Sequence, residues 1–234
     1  MNGLFKMMAR SGLSLFVGLG AIWLVQAETY RAEPVENIQV NGYFQVSEDL
    51  PFIKVWGDGT NALHPEAEFP PLHQYSYGLL KWDLTQLKEF KSNLSEIEIT
   101  SAKITVVLAA SANAVGGHLL PMQAYLASGT NFDLDSVVTK KKKLSDLPQP
   151  SDIKIGESVG SIKDASEDMK ITVPLDPQKV MAYLKMVPSE STPYVAIYLV
   201  SPIRCERSHH NYYQFYTKEV NNEDVSPKLE VEYR

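Results

Sequence analysis

The chain has 234 residues, 44% hydrophobic and 21% charged, and its 22 basic against 28 acidic side chains give a formal charge of −6. This is the composition of a globular protein able to bury a core; it excludes disordered and fibrous classes and offers no basic excess for nucleic acid. A single cysteine, Cys205, excludes an internal disulfide and a thiolate metal cluster.

Residues 1–27 differ from the rest. Lys6 and Arg10 are their only charges, and the 17 residues from Ser11 to Ala27 carry none. A basic start, an apolar run of moderate length and small residues at a cleavage point are the pattern of a secretory signal, here cut after Ala27 with Val25 at −3. The alternative is an uncleaved anchor, against which stand the shortness of the run and Gly12, Gly18 and Gly20. Glu28, not cysteine, follows the cut, against a lipoprotein signal. Removing 27 of the 234 residues leaves 207, and the 22 basic residues fall to 20 against 28 acidic, a net charge of −8. No second apolar run of spanning length follows, so no membrane span is expected in the mature chain. An exported chain without disulfides fits a bacterial periplasm, surface or exterior better than a eukaryotic secretory route.

Downstream, short strand-like runs alternate with turn signals. Ile38–Val46 alternates around Asn41-Gly42 and predicts a hairpin or bulge. Pro51–Trp56 predicts a strand closed by Gly57-Asp58-Gly59, and Ala62–Gln74, with three prolines, a long loop. Tyr77–Leu84 predicts a strong strand. Its period of two sets Leu80, Trp82 and Leu84 on one face, and Leu79, Lys81 and Asp83 on the other. Thr85–Asn93 suits a short helix. Ala102–Ala110 and Leu119–Ala127 are β-rich, and four lysines, Lys140–Lys143, precede a loop with Pro148 and Pro150. Glu157–Lys163 and Lys170–Val173 predict strands around a turn. Asp176 before Pro177 is a helix start for Gln178–Met186, since Asp caps and Pro suits the first helical position. Tyr194–Val200 predicts a buried strand and Lys228–Tyr233 an alternating one. Eight to ten short strands with one or two small helices, no repeat and no linker predict one all-β sandwich domain over 28–234.

The strand texts YGLLKWDL, TSAKITVVLAA, YVAIYLVSP and FYTKEVNNEDVSPKLEVEY follow one another in an order that resembles the DNRLRE domain, also described as the family-96 carbohydrate-binding modules. Tyr77–Leu84 is similar to the family's Leu-Leu-(Arg/Lys)-Phe-Asp-Leu strand, with Trp82 in the Phe place. Thr100–Ile104 resembles the start of its next strand, and Phe215–Tyr233 its closing segment, with Thr217, Lys218, Glu219, Pro227, Lys228 and Leu229 in place. The family's Trp has no counterpart near Phe132–Thr139, and the match before Tyr77 is poor. The resemblance implies a secreted bacterial β-sandwich of jelly-roll type that binds an extracellular polysaccharide, in some members an acidic one such as alginate.

No Gly-x-Ser-x-Gly, His-Glu-x-x-His or phosphate loop occurs, so no catalytic residue is assigned. Arg204–Tyr216 concentrates two arginines, two histidines and three tyrosines. Aromatic faces cover sugar C–H patches, and Arg grips a sugar carboxylate bidentately. Arg204, Arg207, His209, His210 and Tyr212 are therefore candidate ligand residues, and Tyr213, Phe215 and Tyr216 are expected to enter the core. Trp56 is either an exposed platform or the edge of the core. Lys81 is either a contact on a concave sheet face or one half of a cross-strand ion pair. The lysine run is a solvated loop or a weaker site for a polyanion. No cofactor is expected beyond a structural calcium offered by analogy, with Asp49, Asp58 and Glu219 as ligands. The function expected is non-catalytic polysaccharide binding. The alternatives are a structural or adhesive envelope protein of the same fold, and a polysaccharide lyase or hydrolase using His209 or His210.

Overall fold

The structure, a computed structural model, describes residues 27–41, 46–47, 51–55, 76–89, 97–109, 121–129, 150–159, 166–186, 194–201 and 213–234. Its strands are β1 (Glu28–Ala32), β2 (Glu36–Asn41), β3 (Val46–Ser47), β4 (Phe52–Val55), β5 (Ser76–Asp83), β6 (Ile99–Val107), β7 (Gln123–Ala127), β8 (Pro150–Glu157), β9 (Lys170–Leu175), β10 (Tyr194–Val200), β11 (Tyr213–Tyr216) and β12 (Lys228–Tyr233). Two helices, α1 (Thr85–Glu89) and α2 (Pro177–Met186), and a 3-10 turn at Lys218–Val220 complete the described elements.

Ten strands form one antiparallel sheet in the order β1-β12-β6-β9-β8-β7-β10-β5-β2-β3. The β8–β9 seam is a single register pair, Gly156 with Leu175. There the sheet curls over into two leaves, β1-β12-β6-β9 and β8-β7-β10-β5-β2-β3, so the protein is all-β and sandwich-like. The pair β11–β4 extends the first leaf through the bridge Leu108–Phe215. It lies across β5, where a Cβ at Gly78 would stand 3.1 Å from the Phe215 ring and 3.3 Å from Ile53.

Alternation decides what enters the space between the leaves. From the first leaf Ile104, Val106, Ile171, Val173, Leu229 and Val231 point inward. From the second come Leu80, Trp82, Ala124, Leu126, Ile155, Val195 and Ile197, with Phe215 and Tyr213 from the small sheet. Leu80, Trp82 and Leu84 thus share one face, as the period of two predicted, and that face is the one turned to the inter-leaf core. Among the described residues the Trp82 indole N–H has no acceptor there. The outward side of the first leaf is polar, and Glu230 takes Lys103 at 3.0 Å and Arg31 at 3.3 Å across neighbouring strands. Arg31 and Lys103 are exposed and Glu230 is half-buried, and pairs whose cation stands in water contribute about 0–1 kcal/mol each.

The local signals appear as chemistry. Asp176 Oδ1 accepts from the Gln178 and Lys179 amides at 2.9 and 3.3 Å, capping α2, which buries Val180 and Leu184. Asp83 Oδ1 accepts from the Thr85 amide at 2.8 Å at the start of α1, and Leu87 enters the core. Two elements differ from the sequence expectation. Of the strand expected at Glu157–Lys163, Glu157 ends β8, Ser158 and Val159 are not strand, and residues 160–163 lie outside the described residues; β8 itself begins at Pro150, a position a strand tolerates for proline. The short strand β1 has no strong pattern and is held by its pairing with β12.

Tyr30 closes the end of the sandwich: its hydroxyl donates to the Asp83 carbonyl on the other leaf. Burial first, and the Asp83 charge second, push its phenol up to about 12. Burial, then the hydrogen bond and charge of Glu28, push Tyr233 up to about 12, and burial raises Tyr213 as well. A raised phenol contributes stability that is complete below its unfolded value, about 10, and is lost as pH rises through the folded value. Stability should therefore hold to about pH 10 and fall between about pH 10 and 12. Denaturant midpoints followed against pH, with phenolate absorbance on the same samples, check this. Phenolate appearing well before any loss of stability would contradict it.

Candidate functional site

Of the residues singled out from the sequence, Trp56, Arg204, Arg207, His209, His210 and Tyr212 lie outside the described residues, as do Lys140–Lys143, Asp49 and Asp58. Tyr213 and Phe215 are fully buried, as expected of them, but Tyr216 does not enter the core: it follows Phe215 on the opposite side of β11, is half-buried, and donates its hydroxyl to Glu167 Oε1 at 3.4 Å. Glu219 stands in the 3-10 turn, where its carboxylate meets the Lys218 ammonium at 3.7 Å. Among the described residues no group of three His, Cys, Asp or Glu side chains could hold a metal ion.

Lys81 sits in the middle of β5 and is only 7% exposed. Its register partner on β2 is Glu36, and the ammonium lies 3.4 Å from Glu36 Oε1. The same ammonium stands 4.5 Å above the Tyr194 ring of β10, within the range where a cation is attracted to an aromatic face. Of the two readings for Lys81, the cross-strand ion pair is present, with Glu36. Asp83, on the same side of the strand, is engaged with Thr85.

These residues belong to the face of the second leaf that is turned away from the inter-leaf core. Antiparallel register builds it row by row. One row runs Ile38, Leu79, Tyr198, Tyr125 and Lys154 across β2, β5, β10, β7 and β8. Beside it lie Val40 with Tyr77, and Val200 with Gln123 and Glu157. On the other side lie Glu36, Lys81 and Ala196, and beyond them Asp83 with Tyr194. Ile38, Val40, Tyr77, Leu79, Ala127, Ala196, Tyr198 and Val200 form a second buried cluster, with Tyr125 packed against it. The two leaves therefore differ on their outward faces. The first carries a charge ladder in water; the second carries four tyrosines and paired charges.

The β7–β8 margin of this face is partly open. Tyr125 and Gln123 are half-buried, and the side chains of Lys154 and Glu157 are 38% and 39% exposed. A chain of polar contacts joins them. The Tyr125 hydroxyl donates to Gln123 Oε1 at 3.3 Å, and Gln123 Nε2 donates to Glu157 Oε1 at 3.1 Å. The Lys154 ammonium donates to Glu157 Oε2. The hydrogen bond from Lys154 first, and that from Gln123 second, hold the Glu157 carboxyl below the usual carboxylate range. This carboxylate therefore stays an acceptor through neutral pH.

Comparison of the sequence with protein-family models and with curated proteins finds no match. The arrangement must be read from its own chemistry. A tyrosine ring edged by an amide, a carboxylate and an ammonium can cover a C–H patch and meet hydroxyls as donor and acceptor.

Sequence reasoning did not single out Tyr125, Gln123, Lys154 or Glu157. The alternation of Gln123-Ala124-Tyr125-Leu126 places Gln123 and Tyr125 on one side, and that signal was legible. The neighbourhood of Lys154 and Glu157 was not. β7 and β8 pair with register shifts on either side of Tyr125, and such irregularity leaves no mark in composition or period.

Proposed function

We propose that the protein is an exported, non-catalytic β-sandwich that binds an extracellular polysaccharide. The observation that carries the reading is the outward face of the second leaf, where Tyr125 and Tyr194 are half-buried beside Gln123, Glu157 and Asp83. Aromatic rings beside hydrogen-bonding side chains are the chemistry that recognises a pyranose. The resemblance of the strand texts to the family-96 carbohydrate-binding modules supports the same ligand class. Export is supported by residues 1–27, and a cut after Ala27 leaves every described strand whole, since β1 begins at Glu28. Among the described residues no helix is long and apolar enough to cross a membrane.

A glycan array carrying neutral glucans, alginate and pectin tests the proposal. Saturable binding to at least one polysaccharide is expected. Binding to none, by protein shown folded by circular dichroism, overturns the proposal in favour of a structural or adhesive role in the envelope.

A further inference from the structure

Resting on the carbohydrate-binding reading of this face, we infer that the glycan it takes is a neutral one. Among the charges that register places on this face are the cations Lys81 and Lys154 and the carboxylates Glu36, Asp83 and Glu157. Each cation is already held by a carboxylate: Lys81 by Glu36 at 3.4 Å, and Lys154 by Glu157. No arginine lies on this face among the described residues, so none of these side chains offers a planar fork to grip a sugar carboxylate bidentately.

A uronate approaching Lys154 would have to displace Glu157. It would exchange one charge-assisted contact for another, and the displaced carboxylate would remain beside it as a like charge. The surrounding field opposes the approach as well, since the mature chain proposed above carries 20 basic against 28 acidic residues. A neutral pyranose needs no such exchange. Its C–H face can lie on Tyr125 while its hydroxyls donate to Glu157 and accept from Gln123 and Lys154, the ion pair staying closed. Lys154 and Glu157 hold each other in place, so the hydroxyl partners are oriented before the sugar arrives.

The test is titration of the purified protein with soluble glucan, xylan and mannan against alginate and polygalacturonate, at two salt concentrations. The expected result is binding of a neutral chain that varies little with salt and weakens about tenfold or more in Tyr125→Ala. Gln123→Ala, which keeps the ring, is expected to weaken it severalfold, so a folding defect in one variant leaves the other to decide. Preference for an acidic chain over every neutral one overturns the inference and leaves polysaccharide binding standing. So does a neutral chain held equally by wild type and both variants. Failure to bind any of the five overturns polysaccharide binding itself.

Discussion

Gly156→Ala is expected to cost about 3 kcal/mol or more of folding stability, at the upper end of what overpacking a closed site costs. The residue is the joint of the sandwich, pairing with Ala124 of β7 on one side and with Leu175 of β9 on the other. A Cβ there would lie 2.3 Å from the Pro174 carbonyl oxygen and 3.2 Å from the Leu175 Cα. These are backbone atoms, and β9 is held to β6 over six register pairs, so they cannot swing away as a side-chain end would. Relief must come from opening the seam, which would also strain the 2.6 Å hydrogen bond from the Asp176 amide to the Ile155 carbonyl. Asp176 caps α2 and Glu157 is the next residue on β8, so the same opening would loosen the helix start and shift the candidate binding margin. Gly129→Ala is the control: among the described residues nothing lies within 4 Å of its added Cβ, and the change should be tolerated. Urea unfolding of both variants, with equal slopes, makes the comparison. A Gly156→Ala protein within 1 kcal/mol of wild type, roughly the level of a tolerated swap, would show that the leaves are not joined there.

Trp82→Ala is expected to cost about 4 kcal/mol, in the range for emptying a large aromatic site in a core. Trp82→Phe is expected to cost about 1 kcal/mol or less. The side chain is fully buried between the leaves, beside Val195 across the strand pair. Its ring fills volume, but its N–H meets no acceptor among the described residues, and an unmet buried donor costs about 1–3 kcal/mol. Phenylalanine keeps most of the ring and removes the donor, so the loss in packing is offset. Against a total stability of about 5–15 kcal/mol, the alanine variant would approach the unfolding threshold. Denaturant midpoints of the two variants decide between the terms. Equal losses in both would mean that the indole N–H is satisfied and that shape alone sets the cost.

What the sequence determined by itself was local. The period of two in Tyr77–Leu84 and in Lys228–Tyr233 settled which side chains share a face, because successive Cβ atoms on a strand point to opposite sides. Asp176 before Pro177 set the start of α2, because a cap acts on amides two and three residues away. These signals need no knowledge of the rest of the chain. The tertiary structure decided what depends on partners distant in sequence. β1 is a strand only because β12, some 200 residues on, supplies its hydrogen bonds. Lys81 is alternately a surface contact or a paired charge until β2 is laid beside β5 and brings Glu36 to 3.4 Å. The margin formed by Tyr125, Gln123, Glu157 and Lys154 exists only because β8 meets β7 in a shifted register and turns at Gly156 onto the other leaf. Register between strands is set by long-range packing and close approach of backbones, and a linear pattern with period two is the same whichever neighbour a strand acquires.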